Sequence, residues 1–312
     1  AVRRRGVGRL LDLDPADHLA AAEEGRHAFE MFQPRPQHAD PRRAEQLVAG
    51  EGQEIHGKPE GAEMTVSFEL EGEKFTGLNG GSHFQFNPSI SLFVGTSERE
   101  IDKLWNALEK GGRVMMPLEK YDWSEKYGWL QDKFGLSWQL MLDKDNSMEQ
   151  KICPLLFFTG NRRGQAEEAV NFYTSIFKNS RIEGILRYSE EESEYAKDTV
   201  KHSQFRLMGQ TFMAMDSGME NDYPFTEAIS FIVPCETQEE IDYYWDHLSE
   251  GGDPKAQQCG WLKDKFGVSW QITPTLLQKF LSSGNQIRTD RVTRAFLQMK
   301  KFDINKLKEA YD

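Results

Sequence analysis

Apolar and polar positions along this chain run in two rhythms, one of period two and one of about 3.6, and the rhythms follow each other in a fixed order. The order is plainest in the C-terminal half. Ile152–Phe158 is a short apolar run, which predicts a buried strand. After a turn over 160–164, Ala169, Phe172, Tyr173 and Ile176 recur at helical spacing. Glu167 and Glu168 fall in the first turn of that helix, where its dipole favours them. Strands are predicted next over 182–188, 202–207 and 211–215, which completes a βαβββ module. A second module follows. An apolar strand over 228–233 leads to Thr237-Gln238-Glu239-Glu240, a capping box whose hydroxyl and carboxylate satisfy free N–H groups of the first helical turn. Ile241, Tyr244, Trp245 and Leu248 form the helical stripe, and Gly251-Gly252 ends it. Closing strands are predicted at Trp261–Lys263 and 268–273, around a turn at 264–267.

The pattern occurs twice. Gly128-Trp129-Leu130-Gln131-Asp132-Lys133-Phe134-Gly135-Leu136-Ser137-Trp138-Gln139 recurs as Gly260-Trp261-Leu262-Lys263-Asp264-Lys265-Phe266-Gly267-Val268-Ser269-Trp270-Gln271, identical at ten of twelve positions. Phe68-Glu69-Leu70, Gly72 and Phe75 match Phe205-Arg206-Leu207, Gly209 and Phe212. Ile101, Trp105 and Gly111-Gly112 match Ile241, Trp245 and Gly251-Gly252, with Ser97 to Glu100 as the first copy's capping box. A period this long marks a duplicated domain. The first copy carries an insert over 114–127, and a polar stretch over 145–151 separates the copies. The last residues, 286–312, read as helical, with Val292, Ala295, Phe296 and Met299 on one face and Asp303 placed to cap a final helix.

The opening residues break the pattern. Residues 1–57 hold eight arginines, no lysine and four of the seven histidines, His18, His27, His38 and His56. No counterpart of the 166–177 helix is recognisable there. The segment reads as an altered opening that replaces the first strand, helix and strand of domain 1. The expected division is therefore 1–57 atypical, 58–144 the rest of the first domain, 151–283 the second domain and 284–312 a helical tail.

A net charge of −12 disfavours nucleic acid, whose phosphates need a basic surface, and an anionic membrane. No run approaches about 18 apolar residues and no secretory signal is visible. Cys153, Cys235 and Cys259 lack metal-ligand spacing and read as reduced thiols, which together points to a cytoplasmic protein.

These motifs resemble the vicinal oxygen chelate superfamily, the group of glyoxalase I, extradiol dioxygenases and bleomycin-resistance proteins. They resemble its PhnB-like branch most, whose members are often labelled 3-demethylubiquinone-9 3-methyltransferase. The branch's AEEAVxFYxSIF helix, FELxGxxFxxLNGG hairpin and GWxxDxFGxSWQ ending correspond to 166–177, 68–81 and the repeated tryptophan-glutamine motif. The resemblance implies an α+β fold of tandem glyoxalase/bleomycin-resistance-like domains, each of two βαβββ modules around a cupped mixed sheet. It also implies where a metal would sit: a histidine on the first strand, a histidine at the start of the fifth, and a glutamate on the last. Here the glutamate position maps to Gln139 and Gln271, the fifth-strand position to Ser89 and Ala228, and the strand at 152–158 has no histidine.

No metal and no other cofactor is therefore expected, since an amide is a poor ligand without charged companions. Gln271 and Gln139 are the candidate pocket residues, with Asp216 and Asn79 at equivalent places after the hairpin strand. Each also has a plain reading, the glutamines as satisfied buried amides and the other two as turn formers. No catalytic residue is assigned. The second copy, with both modules intact, is expected to hold the better cavity, with Gln271 pointing into it. The expected activity is binding of a small molecule in a cupped sheet, and the chain leaves room for a homodimer. Two other readings stay open: a metal-dependent lyase, isomerase or dioxygenase of the superfamily, and the methyltransferase of the branch's label. The label lacks a glycine-rich turn between strand and helix, since Gly80-Gly81 follows a hairpin strand instead.

Overall fold

The structure, a computed structural model, describes residues 29–31, 45–48, 63–80, 83–193 and 196–312. Most of the segment read as an altered opening, 1–57, lies outside the described residues. The first copy contributes strands β1 (Phe29–Met31), β2 (Glu45–Val48), β3 (Glu63–Leu70), β4 (Glu73–Leu78) and β5 (Ile90–Thr96), helix α1 (Glu98–Glu109), and strands β6 (Arg113–Tyr121), β7 (Ser124–Gln131) and β8 (Ser137–Leu142). The second contributes β9 (Ile152–Phe158), α2 (Ala166–Ile176), β10 (Arg181–Arg187), β11 (Val200–Leu207), β12 (Gln210–Asp216), β13 (Ile229–Cys235), α3 (Gln238–Ser249), β14 (Trp261–Lys263) and β15 (Ser269–Pro274). Helices α4 (Thr275–Leu281), α5 (Gln286–Leu297) and α6 (Ile304–Tyr311) end the chain. The two-module pattern and the tail helices agree with the sequence, while α4 was not anticipated.

Neither copy closes its own sheet. One sheet has eight strands in the order β10-β11-β12-β9-β5-β8-β7-β6, and the other has seven, β14-β15-β13-β1-β4-β3-β2. Each takes one module from each copy. The join in the larger sheet is β5 with β9, antiparallel, with Ser91 opposite Leu155 and Phe93 opposite Cys153. The expectation that the second copy's two modules would enclose one cavity is thereby corrected: they lie in different sheets. The seven-stranded sheet takes its other strands from the first copy. There β1 runs parallel to β13 and antiparallel to β4, whereas its counterpart β9 runs antiparallel to β5 and parallel to β12.

The linker explains the join. β8 ends beside Thr96 at the end of β5, and β9 begins beside Val94 on the other side of the same strand. Nine residues, 143–151, cross that end, a span of two strand spacings or about 10 Å. Asp143 ties the crossing. Its carboxylate accepts from Ser147 N at 2.8 Å, Ser147 Oγ at 3.1 Å and Met148 N at 3.2 Å, and pairs with Lys151 Nζ at 2.6 Å. Gln150 then locks the start of β9 to β12, donating to Ile152 O and Thr211 O and accepting from Thr211 N.

The repeated motif is a structural device. Asp264 is buried, and its carboxylate accepts from Phe266 N, Val268 N, Trp270 Nε1 at 2.8 Å and Tyr173 Oη at 2.7 Å. Burial pushes its pKa up against the opposing effect of these donors. The turn, the closing strand and helix α2 thus meet on one carboxylate. Asp132 repeats the arrangement with Phe134 N, Leu136 N and Trp138 Nε1. The spacing of the motif follows from this: the aspartate must reach two turn N–H groups and an indole six residues on.

The capping boxes differ. Thr237 accepts from Glu240 N, as read from the sequence, while Glu240 reaches Glu236 N. Ser97 makes no such cap and donates instead to the Glu100 carboxylate at 2.9 Å. In the tail, Asp303 caps α6 by accepting from Asn305 N and Lys306 N. Met299 O and Lys300 O accept from Cys259 N and Gly260 N, which fastens the tail to the second copy. Gly260 has φ +82° and lies against the Phe302 ring, where a Cβ would come within 2.3 Å. Among the described residues no helix is long and apolar enough to cross a membrane.

Two outcomes test this architecture. Asp264→Ala should cost on the order of 4 kcal/mol in urea unfolding, by stranding four donors, and Asp132→Ala less, because it strands one fewer. Asp143 gives a pH signature. Burial works to raise its pKa, but Lys151 and the Ser147 and Met148 N–H groups outweigh it and hold the pKa below the ordinary 3.8. A depressed carboxylate pKa adds stability that is complete above the unfolded value and is lost as pH falls through the folded one. Asp143→Asn should therefore flatten the fall of the urea midpoint below about pH 4 and leave its slope near neutrality unchanged.

Candidate functional site

Alternation along the strands divides the eight-stranded sheet into two faces. Leu92, Val94, Trp138, Leu140, Leu156 and Phe158 join the main core with the helices. Their neighbours face the other way and form a separate inward cluster: Phe93, Tyr127, Trp129, Cys153, Leu155, Phe157 and Met213, all buried. Met115, Met116, Met141, Met148 and Met215 pack against it, so six methionines share this face. The face is filled by its own side chains.

A small polar network crosses its centre. Tyr127 Oη donates to Gln139 Oε1 at 2.7 Å, and Gln139 Nε2 donates to Ser91 Oγ at 3.3 Å. Ser91 Oγ lies 2.8 Å from Ser137 Oγ, which accepts from Trp129 Nε1 at 2.8 Å. Four strand residues and one residue of the first copy's insert therefore satisfy one another in an apolar surround, as buried polar groups must. Burial, with Tyr121 and Tyr188 nearby, raises the pKa of Tyr127 and keeps its hydroxyl protonated as a donor. His202 sits 6.5 Å from the Phe93 ring, and burial lowers its pKa, which favours the neutral imidazole.

The insert predicted over 114–127 folds as the long β6–β7 hairpin. At its tip Trp123 stacks on Tyr121 at 5.0 Å and meets Tyr127 edge-on at 6.0 Å. Lys201 Nζ lies 6.0 Å from the Trp123 ring. β6 ends the sheet on one side and β11 is next to last on the other, so this contact crosses the mouth of the face. A register shift between β10 and β11 lies beside Lys201.

The four predicted pocket residues are not brought together. Gln139 lies at the centre of the inward face, 2% exposed, with both ends of its amide bonded. Gln271 lies on the seven-stranded sheet and donates to Ser230 Oγ at 2.9 Å. Asn79 follows β4 in that sheet. Asp216 is fully buried on the helix side of β12 and accepts from Gly164 N at 2.6 Å, Ala166 N at 3.3 Å and Val200 N at 2.9 Å. It anchors the start of α2 rather than a rim. Ser91 and Ser230, two residues beyond Ser89 and near Ala228, are the strand positions that touch the glutamines. His83 is exposed and the acidic run from Glu190 is a surface loop, while His56 lies outside the described residues.

Sequence reading missed Tyr127 and the methionines. Tyr127 is the last residue of the insert, and its counterpart by position is Cys259, whose thiol turns toward Leu297 O in the tail. The methionines did leave a signal: Met141 is two residues from Gln139, and Met213 and Met215 are two apart, which places them on one face.

The polar groups around Gln139 are already engaged with one another. Gln139 is already occupied by Tyr127 and Ser91, and the adjoining strand offers Leu155 and Cys153. Burial, reinforced by Glu73, pushes the Cys153 thiol up to about 12, and the thiol donates to Gln150 O. Among the described residues no three of His, Cys, Asp and Glu gather as a ligand group.

Comparison with known proteins adds the family. The model of the family described as 3-demethylubiquinone-9 3-methyltransferase matches twice, over residues 44–141 and 150–273. A PhnB protein from Bacillus cereus is 43% identical, with 39% of this chain and 96% of that chain covered and a TM-score of 0.34. The protein PA1353 from Pseudomonas aeruginosa is 25% identical over 38% of this chain and 93% of its own, with a TM-score of 0.32. Glyoxalase I from Zea mays is 10% identical over 66% of this chain and 76% of its own, with a TM-score of 0.44. No curated protein matches the chain.

One buried hydroxyl is bonded differently in the two sheets. Ser269 is 1% exposed and its Oγ has no hydrogen-bond partner among the described residues, whereas its counterpart Ser137 is bonded to Trp129 and Ser91. Ser269→Ala should raise the urea midpoint by about 1 kcal/mol equivalent and Ser137→Ala should lower it by about as much. Equal losses at both positions would contradict this assignment.

Proposed function

Because the chain belongs to the family described as 3-demethylubiquinone-9 3-methyltransferase, and because its inward face carries a bonded amide amid methionines and aromatic rings, we propose that it binds a small molecule on the eight-stranded sheet without a metal. The observation that carries the reading is the composition of that face. A site that activates substrate oxygens through a metal needs charged donors turned inward. A binding cup needs apolar lining and a few polar groups that fix orientation. Gln139, Tyr127 and Ser91 are those groups at the centre of the face, and the Arg206–Glu183 pair lies toward its β10–β11 side. Methionine side chains are unbranched and adaptable, so a face they fill can repack around a guest at small cost. Ligand binding is also the part of any transfer reaction that these residues support.

The site is placed on Gln139 rather than Gln271, because Gln139 has the complete sheet, the tyrosine partner and the hairpin. A fragment screen read by methyl-labelled methionine NMR should give ligands that shift Met213 and Met215, with Gln139→Ala weakening them and Gln271→Ala leaving them unchanged. Stoichiometric zinc, nickel or iron in protein purified without added metal would overturn the metal-free part. Fragments that depend on Gln271 alone would overturn the placement.

A further inference from the structure

The first copy's insert closes the inward face with rings, and the charges on that face toward β10 and β11, Arg206 and Glu183, are paired with each other at 2.8 Å. Trp123 is 55% exposed and stacked on Tyr121, so one broad indole face stands open at the hairpin tip. Tyr127, which it meets edge-on, carries the hydroxyl that reaches Gln139. The hairpin therefore joins the mouth of the face to its polar centre. On the central strands β5, β8, β9 and β12, the inward residues include Ser91, Phe93, Gln139, Leu155, Phe157 and Met213, none of them charged. An ion placed there would lose its water with nothing to replace it. Thioethers and ring edges are good neighbours for the face of another ring. The Lys201 ammonium beside Trp123 marks the outer limit of the apolar zone.

We propose that the cup takes a neutral, planar aromatic molecule, inserted between the Tyr121–Trp123 hairpin and Met213 and Met215, with one hydroxyl or carbonyl directed at the Gln139–Tyr127 pair. This rests on the reading of the eight-stranded sheet as a binding site and goes further by fixing the ligand's charge and shape. The hairpin supplies one wall. Six methionines supply the compliance that lets a filled face admit a ring. The amide and phenol supply one acceptor and one donor, enough to orient a single polar group and too few for a sugar or a nucleotide.

Three isosteric probes separate the parts: p-cresol, neutral and flat; p-toluate, flat and charged; and p-methylcyclohexanol, neutral and puckered. Each is titrated to about 10 mM against the full chain with labelled methionine methyls. p-Cresol should shift Met213 and Met215 and bind at least about tenfold more tightly than the other two. Trp123→Ala, which should leave the thermal midpoint unchanged because the ring is largely exposed, should weaken p-cresol about fivefold or more. p-Toluate binding as well as p-cresol, with the same methyl shifts, would overturn the neutral class while leaving the binding site standing. p-Methylcyclohexanol binding as well would overturn planarity in the same way. An unchanged p-cresol affinity in Trp123→Ala would remove the hairpin from the site. Silence of Met213 and Met215 toward all three probes would overturn both the ligand class and the binding reading beneath it.

Discussion

Nine residues between β8 and β9 decide how this molecule is put together. They are long enough to step over the end of one strand, and Asp143 draws them tight enough that they go no farther. β9 must therefore lie beside β5, and the module that begins with β9 must complete the sheet that ends with β8. The seven-stranded sheet is then assembled from what remains, the first copy's leading strands and the second copy's closing ones. Which strands stand around Gln139 and which around Gln271 follows from the reach of that linker.

Much of the fold was legible because it is written in local signals. The strand and helix rhythms, the Thr237 cap, the glycine stops and the repeated twelve-residue motif each depend on residues close in sequence. The motif even carries its reason in its spacing, since an aspartate two residues before one turn N–H and six before an indole binds both. The exchange of modules between sheets was not legible. A period-two pattern says that a strand has a buried face, and it does not say which strand lies beside it. The Ser97 cap failed for a related reason, since the same residue types allow the hydroxyl to find the Glu100 carboxylate instead of a backbone N–H.

The site was half legible. Gln139 and Gln271 stand out because the motif repeats, and the repeat also made them look equivalent. Their surroundings are not equivalent. Gln139 has a phenol from the insert, whereas the corresponding residue of the second copy, Cys259, is turned toward the tail. Asp216 and Asn79 were paired by position after matching strands, yet Asp216 is consumed by two backbone N–H groups at the start of a helix and a third at the start of β11. A residue's place in a repeat predicts its backbone environment well and its chemistry only when the neighbouring segments repeat too. Here the insert and the tail are the segments that do not.

Joining the copies in one chain has a further effect. Two separate domains exchanging modules would have to meet by diffusion, while a short tether holds them at an effective concentration in the millimolar range. Two identical subunits would also be bound by symmetry, so that every substitution is made at both cups at once. A tandem chain is free of that bond. One cup could acquire the Tyr121–Trp123 hairpin and its phenol while the other gave the same edge to the tail segment between α5 and α6. The covalent joint thus lets two sites of common descent evolve separately inside one particle.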